Sequence, residues 1–188
     1  MNEILQKQLK KAKFLKKLDN LFIGDSFFEF WNNPNYTSKL FYDVFPNENN
    51  LILGVKGTTA LDWNQLIDLF QIQYQPKTTI INLGYNDIHT CRDDFYNVYM
   101  NFEALILGIK KKFPSTNIYL ITPLNGAPVY KGYETIEREW NILIHDLDAK
   151  IIDFNEELKG EKDYMYTDNW HINTHGYELL QKAIEKSI

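Results

Sequence analysis

Four apolar runs, each closed by a chain-breaking residue, constrain this chain more than any other feature. Leu21-Phe22-Ile23 stops at Gly24, Asn50-Leu51-Ile52-Leu53 at Gly54, Thr78 through Leu83 at Gly84, and Asn117 through Thr122 at Pro123. A fifth run, Lys150-Ile151-Ile152-Asp153, follows near the C-terminus. Short runs rich in isoleucine and bounded by glycine or proline predict strands buried on both faces, the habit of parallel sheets. The segments between them carry apolar residues at helical spacing. Helices are expected over Asp62 to Ile72, Asp94 to Phe113, Tyr133 to Leu147 and Thr174 to Ile188. Alternating strands and helices imply right-handed crossovers and helices on both faces of a parallel sheet. The sequence has no internal repeat and no Gly-, Ser- or Pro-rich linker, so one domain is expected over its 188 residues.

The N-terminal stretch reads differently. Residues 1–19 are lysine-rich from Lys7 to Lys17, with spaced apolar residues at Ile4, Leu5, Leu9, Phe14, Leu15 and Leu18. This is an amphipathic helix, expected to pack on the domain and leave its lysines in water; contact with an anionic membrane is the alternative. The spacing lacks the continuous apolar core of a secretory signal, and no run reaches the ~20 apolar residues of a membrane span. Stable membrane insertion is therefore not expected. A single cysteine, Cys91, allows no internal disulfide and fits a cytoplasmic location. Cys91 itself reads as a small, partly buried side chain. The net charge of -5 argues against nucleic acid as a partner, because phosphate binding needs a basic surface. The oligomeric state is left open.

In parallel α/β sheets, ligands bind beyond the carboxyl ends of the strands, and three polar motifs fall at such ends. Gly24-Asp25-Ser26 follows the first run, and Ser26 is either an exposed nucleophile or the cap of a helix over Phe27–Trp31. Gly54-Val55-Lys56-Gly57-Thr58-Thr59 follows the second. A glycine N–H there is either an oxyanion donor or part of a tight turn before a capping threonine, with Gly54 competing with Gly57. Gly84-Tyr85-Asn86-Asp87 follows the third, where Asn86 offers a neutral amide donor that does not titrate, or Asn86 or Asp87 caps the next segment. A fourth motif, Asp168-Asn169-Trp170-His171, precedes the last helix. Its spacing lets the Asp168 carboxylate turn back to Nδ1 of His171 and leave Nε2 free as a base; a plain loop histidine is the alternative. His175 has Ile172 rather than an aspartate three residues earlier, and His89 and His145 have no partner pattern. No His, Cys and Asp set has metal-ligand spacing, so no metal and no cofactor are expected.

The four motifs together resemble the signature blocks of the GDSL-type esterases and lipases, the SGNH hydrolases, in family order from Leu21 to about Leu180. The resemblance implies a flavodoxin-like SGNH hydrolase fold, a single three-layer α/β/α domain with a five-stranded parallel sheet. It maps the family serine onto Ser26, the glycine donor onto Gly57, the asparagine donor onto Asn86, and the histidine and aspartate onto His171 and Asp168. Phe27, Thr58, Asn169 and Trp170 depart from the common pattern, which bears on the substrate pocket. Ser26, His171 and Asp168 are then the expected triad. The N–H groups of Ser26 and Gly57 and the amide of Asn86 are the expected oxyanion hole. Asp25, Tyr85 and Trp170 are the expected substrate-binding positions. The implied partner is a small-molecule ester and the implied reaction serine ester hydrolysis; the little chain length spare for a lid favours a short acyl group, and the aromatic residues near the motif loops make an O-acetyl group on a carbohydrate one candidate. Thioesterase and lysophospholipase activity, or an idle binding site on the same fold, are the alternatives.

Overall fold

The computed structural model describes residues 3–12, 14–70, 72–91, 94–127 and 132–188, without the side chains of residues 69, 90 and 91. The expectation for the Cys91 side chain lies outside that set. The five apolar runs are strands: β1 Asn20–Gly24, β2 Asn50–Gly54, β3 Thr78–Asn82, β4 Asn117–Ile121 and β5 Lys150–Ile152. They form one parallel sheet in the order β2-β1-β3-β4-β5. This is the doubly wound order of flavodoxin-like folds, and its crevice opens where the order reverses, between β1 and β3.

Alternate residues of each strand point to opposite faces, and each face has its own core. Leu21, Ile23, Leu51, Leu53, Ile81 and Leu120 pack on one side; Phe22, Ile52, Ile80, Tyr119, Ile121 and Ile152 pack on the other. The first face is covered by α1 Glu3–Ala12, α4 Ala60–Leu66, α6 Phe95–Lys112 and α7 Glu134–Leu143. The second is covered by α2 Ser26–Phe30, α3 Phe41–Val44, α8 Phe154–Leu158 and α9 Thr174–Ser187. A seventh-residue rhythm explains α6: Val98, Phe102, Leu105, Ile106 and Ile109 form its buried stripe, each contributing roughly 1.5–3 kcal/mol by burial. Asp94 accepts from the Asn97 N–H to cap it, and Lys110, Lys111 and Lys112 close its last turn.

Three expectations need correction in extent. The N-terminal helix ends at Ala12 rather than running to residue 19, with residues 1, 2 and 13 outside the described set. Beyond it, Lys17 is drawn to the carboxylate of Asp19, which also pairs with Lys77 at the start of β3. The segment from Asp62 to Ile72 is helical only to Leu66. A tighter 3₁₀ turn over Ile67–Leu69 ends it before an extended Phe70, with residue 71 outside the described set. The segment from Tyr133 likewise stops being α-helical at Leu143 and tightens over Ile144–Asp146.

Strand register sets the site. Gly24 pairs with Gly54 on one side and with Asn82 on the other, so three strands end level. The turns that follow them stand side by side. Gly54 is glycine because α2 crosses directly over it: a Cβ there would lie 2.1 Å from the Glu29 backbone N. Its own N–H and C=O are taken by the Gln8 side chain at 3.2 and 3.1 Å, which fastens α1 to the edge of the sheet.

Candidate active site

Asp25, not Ser26, caps α2. Its Oδ1 accepts from the Phe27 N–H at 3.0 Å, leaving Ser26 in the first helical turn with its hydroxyl free for other work. That hydroxyl lies 3.0 Å from Nε2 of His171. Nδ1 of His171 lies 2.7 Å from Oδ2 of Asp168. Oδ1 of Asp168 accepts from the backbone N–H groups of Trp170 and His171 at 2.9 and 3.0 Å. Four residues thus form a self-closed turn, sharpened by the left-handed φ of 61° at Asn169. Burial alone would raise the Asp168 pKa, but the hydrogen bonds from His171 and the two backbone N–H groups outweigh it and hold the carboxyl below its ordinary value.

The histidine loop is held from two sides. The His171 carbonyl accepts from the Tyr166 N–H at 2.7 Å, and Met165 bridges Ile172. Asn173 caps α9 through the Gly176 N–H while its amide donates to the carbonyls of Asp163 and Met165. The buried Tyr177 of α9 donates its hydroxyl to the Phe27 carbonyl at 2.8 Å, locking the helix after His171 onto the helix that carries Ser26. Around the imidazole stands an aromatic wall. Phe30 and Tyr36 lie with ring centres 4.8 and 5.4 Å from it, Tyr36 stacks on Phe30 at 4.2 Å, and Tyr166 lies 4.5 Å from Tyr36.

The three strand-end turns are laced by two buried acids. Asn86, on α5 Tyr85–Cys91, donates one amide N–H to Asp25 Oδ2 at 3.1 Å and the other to the Thr58 carbonyl at 3.0 Å. Asp87 Oδ1 accepts from the Ala60 N–H at 2.8 Å and its Oδ2 from the Gly84 N–H at 3.1 Å. Asp87 therefore ties the turn before Asn86 to the start of α4, and its bond from Gly84 also closes the first turn of α5. Thr59 caps α4 in a reciprocal box with Asp62, and Gly57 sits exposed just before it with φ +74°. Gly54, its competitor, has its N–H occupied by Gln8.

Asp25 was expected at the substrate, and the structure corrects this. It is 1% exposed, with both oxygens occupied inside the fold. Desolvation pushes its pKa up to about 7, and that of Asp87 up to about 6. Tyr85 is 6% exposed and packs edge-on against Phe27 and His89, whereas Trp170 stands 43% exposed on the rim beside His171. His175 lies away from this cluster, paired with Glu161 and Glu178. His89 has a partner the sequence gave no sign of: its Nε2 lies 3.3 Å from the fully buried Glu137, which also accepts from the Gly126 N–H.

Residues 22–179 match the profile of the GDSL-like Lipase/Acylhydrolase family. The chain belongs to that family. As a GDSL-like acylhydrolase it is an ester-hydrolysing enzyme. Solved structures agree on the GDSL fold. A candidate platelet activating factor from Streptococcus pneumonia superposes with a TM-score of 0.80 at 20% identity, covering 98% of this chain and 90% of that one. A GDSL-like lipase from Bacteroides thetaiotaomicron gives 0.70 at 15% identity, covering 98% and 96%. An acetyl xylan esterase from Geobacillus stearothermophilus gives 0.62 at 19% identity, covering 92% and 96%. No curated protein sequence matches the chain. Among the described residues of this GDSL acylhydrolase, no group of three or more His, Cys, Asp or Glu is placed to hold a metal, and no helix is long and apolar enough to cross a membrane.

Proposed function

We propose that Ser26, His171 and Asp168 are the catalytic triad of a serine esterase acting on short acyl esters. The observation that carries this reading is the continuous relay from the Ser26 hydroxyl through the imidazole to Asp168, at 3.0 and 2.7 Å. His171 Nε2 takes the hydroxyl proton as Oγ bonds to the ester carbonyl carbon. The carbonyl oxygen becomes an oxyanion, received by the N–H groups of Ser26 and Gly57 and by an Asn86 N–H shared with its present acceptor. The C–O bond to the alcohol then breaks, and His171 returns the proton to the departing alcohol. Water, deprotonated by the same imidazole, attacks the acyl-Ser26 carbonyl, and the carboxylic acid leaves as Oγ recovers its proton. Asp168 keeps the imidazole in the right tautomer and stabilises its cation.

A short acyl group, such as the acetyl group of an acetylated carbohydrate, is the substrate this reading favours. The exposed Trp170 beside His171 and the likeness in fold to an acetyl xylan esterase support it. The test is hydrolysis of p-nitrophenyl esters from acetate to long acyl chains. Wild type should cleave the short esters best. Ser26→Ala should lose activity on the order of 10⁶-fold, by analogy with a measured serine hydrolase. Equal rates for the two proteins would refute the nucleophile.

A further inference from the structure

We propose that the groove between α1 and α2 seats the alcohol half of the ester, and that this alcohol carries an anionic group, phosphate or carboxylate, which pairs with Lys7 and Lys11. The inference rests on the ester-hydrolase reading above and adds a substrate class to it.

The groove is open to solvent and has a volume of about 630 Å³, within the range of small-molecule sites. Lys7 and Lys11 form one wall; Phe30, Asn33, Pro34 and Tyr42 form much of the other. Phe30 joins it to the reacting atoms. It follows Ser26 by one helical turn and so lies on the same face of α2. Its ring also stands edge-on to His171 at 4.8 Å. His171 Nε2 must meet the departing alcohol oxygen, and Phe30, the ring beside that imidazole, borders the groove assigned to the rest of the alcohol.

Charge selects the kind of alcohol. Seven lysines, Lys17, Lys39, Lys77, Lys110, Lys159, Lys182 and Lys186, have a carboxylate within 4.0 Å. Of the other described lysines, which have none, only Lys7 and Lys11 line this groove. The one acid lining the groove, Glu29, accepts from the Lys56 backbone N–H at 2.6 Å and forms no ion pair with either lysine. The Lys11 ammonium is held 3.0 Å from the centre of the Tyr42 ring, and burial pushes its pKa down. Two ammonium groups one turn apart, one of them pinned and partly desolvated, thus line a ligand-sized groove with no carboxylate within 4.0 Å of either among the described residues. An anionic membrane is the less favoured occupant, because these lysines share their groove with Phe30, whose ring stands against the imidazole of His171.

The experiment compares kcat/KM for acetylglycerol, acetylglycerol 3-phosphate, O-acetylglycerate and glycerol hemisuccinate, which carries its charge on the acyl arm. Wild type should prefer the two anionic alcohols over acetylglycerol by about tenfold, the equivalent of ~1.4 kcal/mol. The relative rates of phosphate and carboxylate esters identify which anion fits. About 1 M NaCl should erase the preference, since it shortens electrostatic reach to about 3 Å. Lys7→Gln/Lys11→Gln should bring the anionic-to-neutral ratio near one, and Lys7→Glu/Lys11→Glu should invert it. Turnover of acetylglycerol reports on the ester-hydrolase reading separately. Calorimetric binding of glycerol 3-phosphate to Ser26→Ala, lost when both lysines are replaced, tests the groove even without turnover. A wild-type ratio near one, a ratio unmoved by the lysine variants, a preference that follows the hemisuccinate, or lysines needed only for binding phosphatidylserine vesicles would overturn the proposal.

Discussion

Asp25 Oδ2 accepts a hydrogen bond from Asn86 Nδ2 at 3.1 Å, joining the turn that carries Ser26 to a residue 61 positions away. The same carboxylate caps α2 through Phe27, so one buried acid fixes both the nucleophile's helix and the amide beside it. Asp25→Asn keeps the size but sets an amide N–H against another donor. The variant should lose roughly ten- to a hundredfold in kcat, less than the loss of a whole oxyanion donor, with little change in KM. Steady-state kinetics on p-nitrophenyl acetate measures this. Unchanged kcat would show that Asn86 needs no support from Asp25.

The two buried acids also set a stability slope. Desolvation pushes Asp25 up to about 7 and Asp87 up to about 6, from an ordinary 3.8. The folded chain therefore holds more protons than the unfolded one between those values. Their contribution to stability is fully present below about pH 4 and is lost as pH rises through 6 and 7. Urea midpoints at pH 4.5 and 7.5 should fall more steeply for wild type than for Asp25→Asn or Asp87→Asn. A wild-type midpoint that rises relative to both variants would reverse the sign.

Two glycines of the second turn should behave oppositely. Gly54→Ala places a methyl 2.1 Å from the Glu29 N and 2.5 Å from the Phe28 carbonyl carbon, both backbone atoms that cannot step aside. It should cost more than about 3 kcal/mol, at the upper end for overpacking. Gly57→Ala meets nothing within 4 Å and carries only the strain of φ +74°, about 1–2 kcal/mol. Thermal unfolding of the two variants checks the order.

Legibility in the sequence followed the range of the forces involved. Leu51 to Leu53 or Ile80 and Ile81 declare strands because burial on both faces demands unbroken apolar runs, and α6 declares itself by five apolar residues at helical spacing. The short α3, α5 and α8 carry too few turns for a period and went unread. The end of the fourth helix at Leu66 was also missed, because Leu69 and Phe70 continue its apolar spacing while the backbone tightens. At the site, Ser26 and Asn86 were readable as residue types at strand ends, and the Asp168–His171 contact from its three-residue spacing before the last helix. The internal use of Asp25 was not, because Gly-Asp-Ser suits a cap and a substrate contact equally well. The Asp87 link to Ala60 and the His89–Glu137 pair depend on which turns the sheet order brings together, and no local spacing records that.

The aromatic wall should hold the imidazole in place. Tyr36 contacts Phe30, Tyr166 and His171 at once. Tyr36→Ala removes the central ring and should lower both the melting temperature and kcat, with roughly 1–3 kcal/mol lost in stability for a half-buried aromatic. Tyr36→Phe keeps the ring and should restore most of both. Failure of phenylalanine to rescue would place the effect in the hydroxyl instead.

The most direct measurement of the central claim is the site of covalent modification by a serine-directed ethylphosphonate probe, read by peptide mass spectrometry. The triad account predicts one adduct, on Ser26, formed by the wild-type protein and slowed by several orders of magnitude in His171→Ala. Labelling at another residue, or equal labelling of Ser26 without the imidazole, would contradict it.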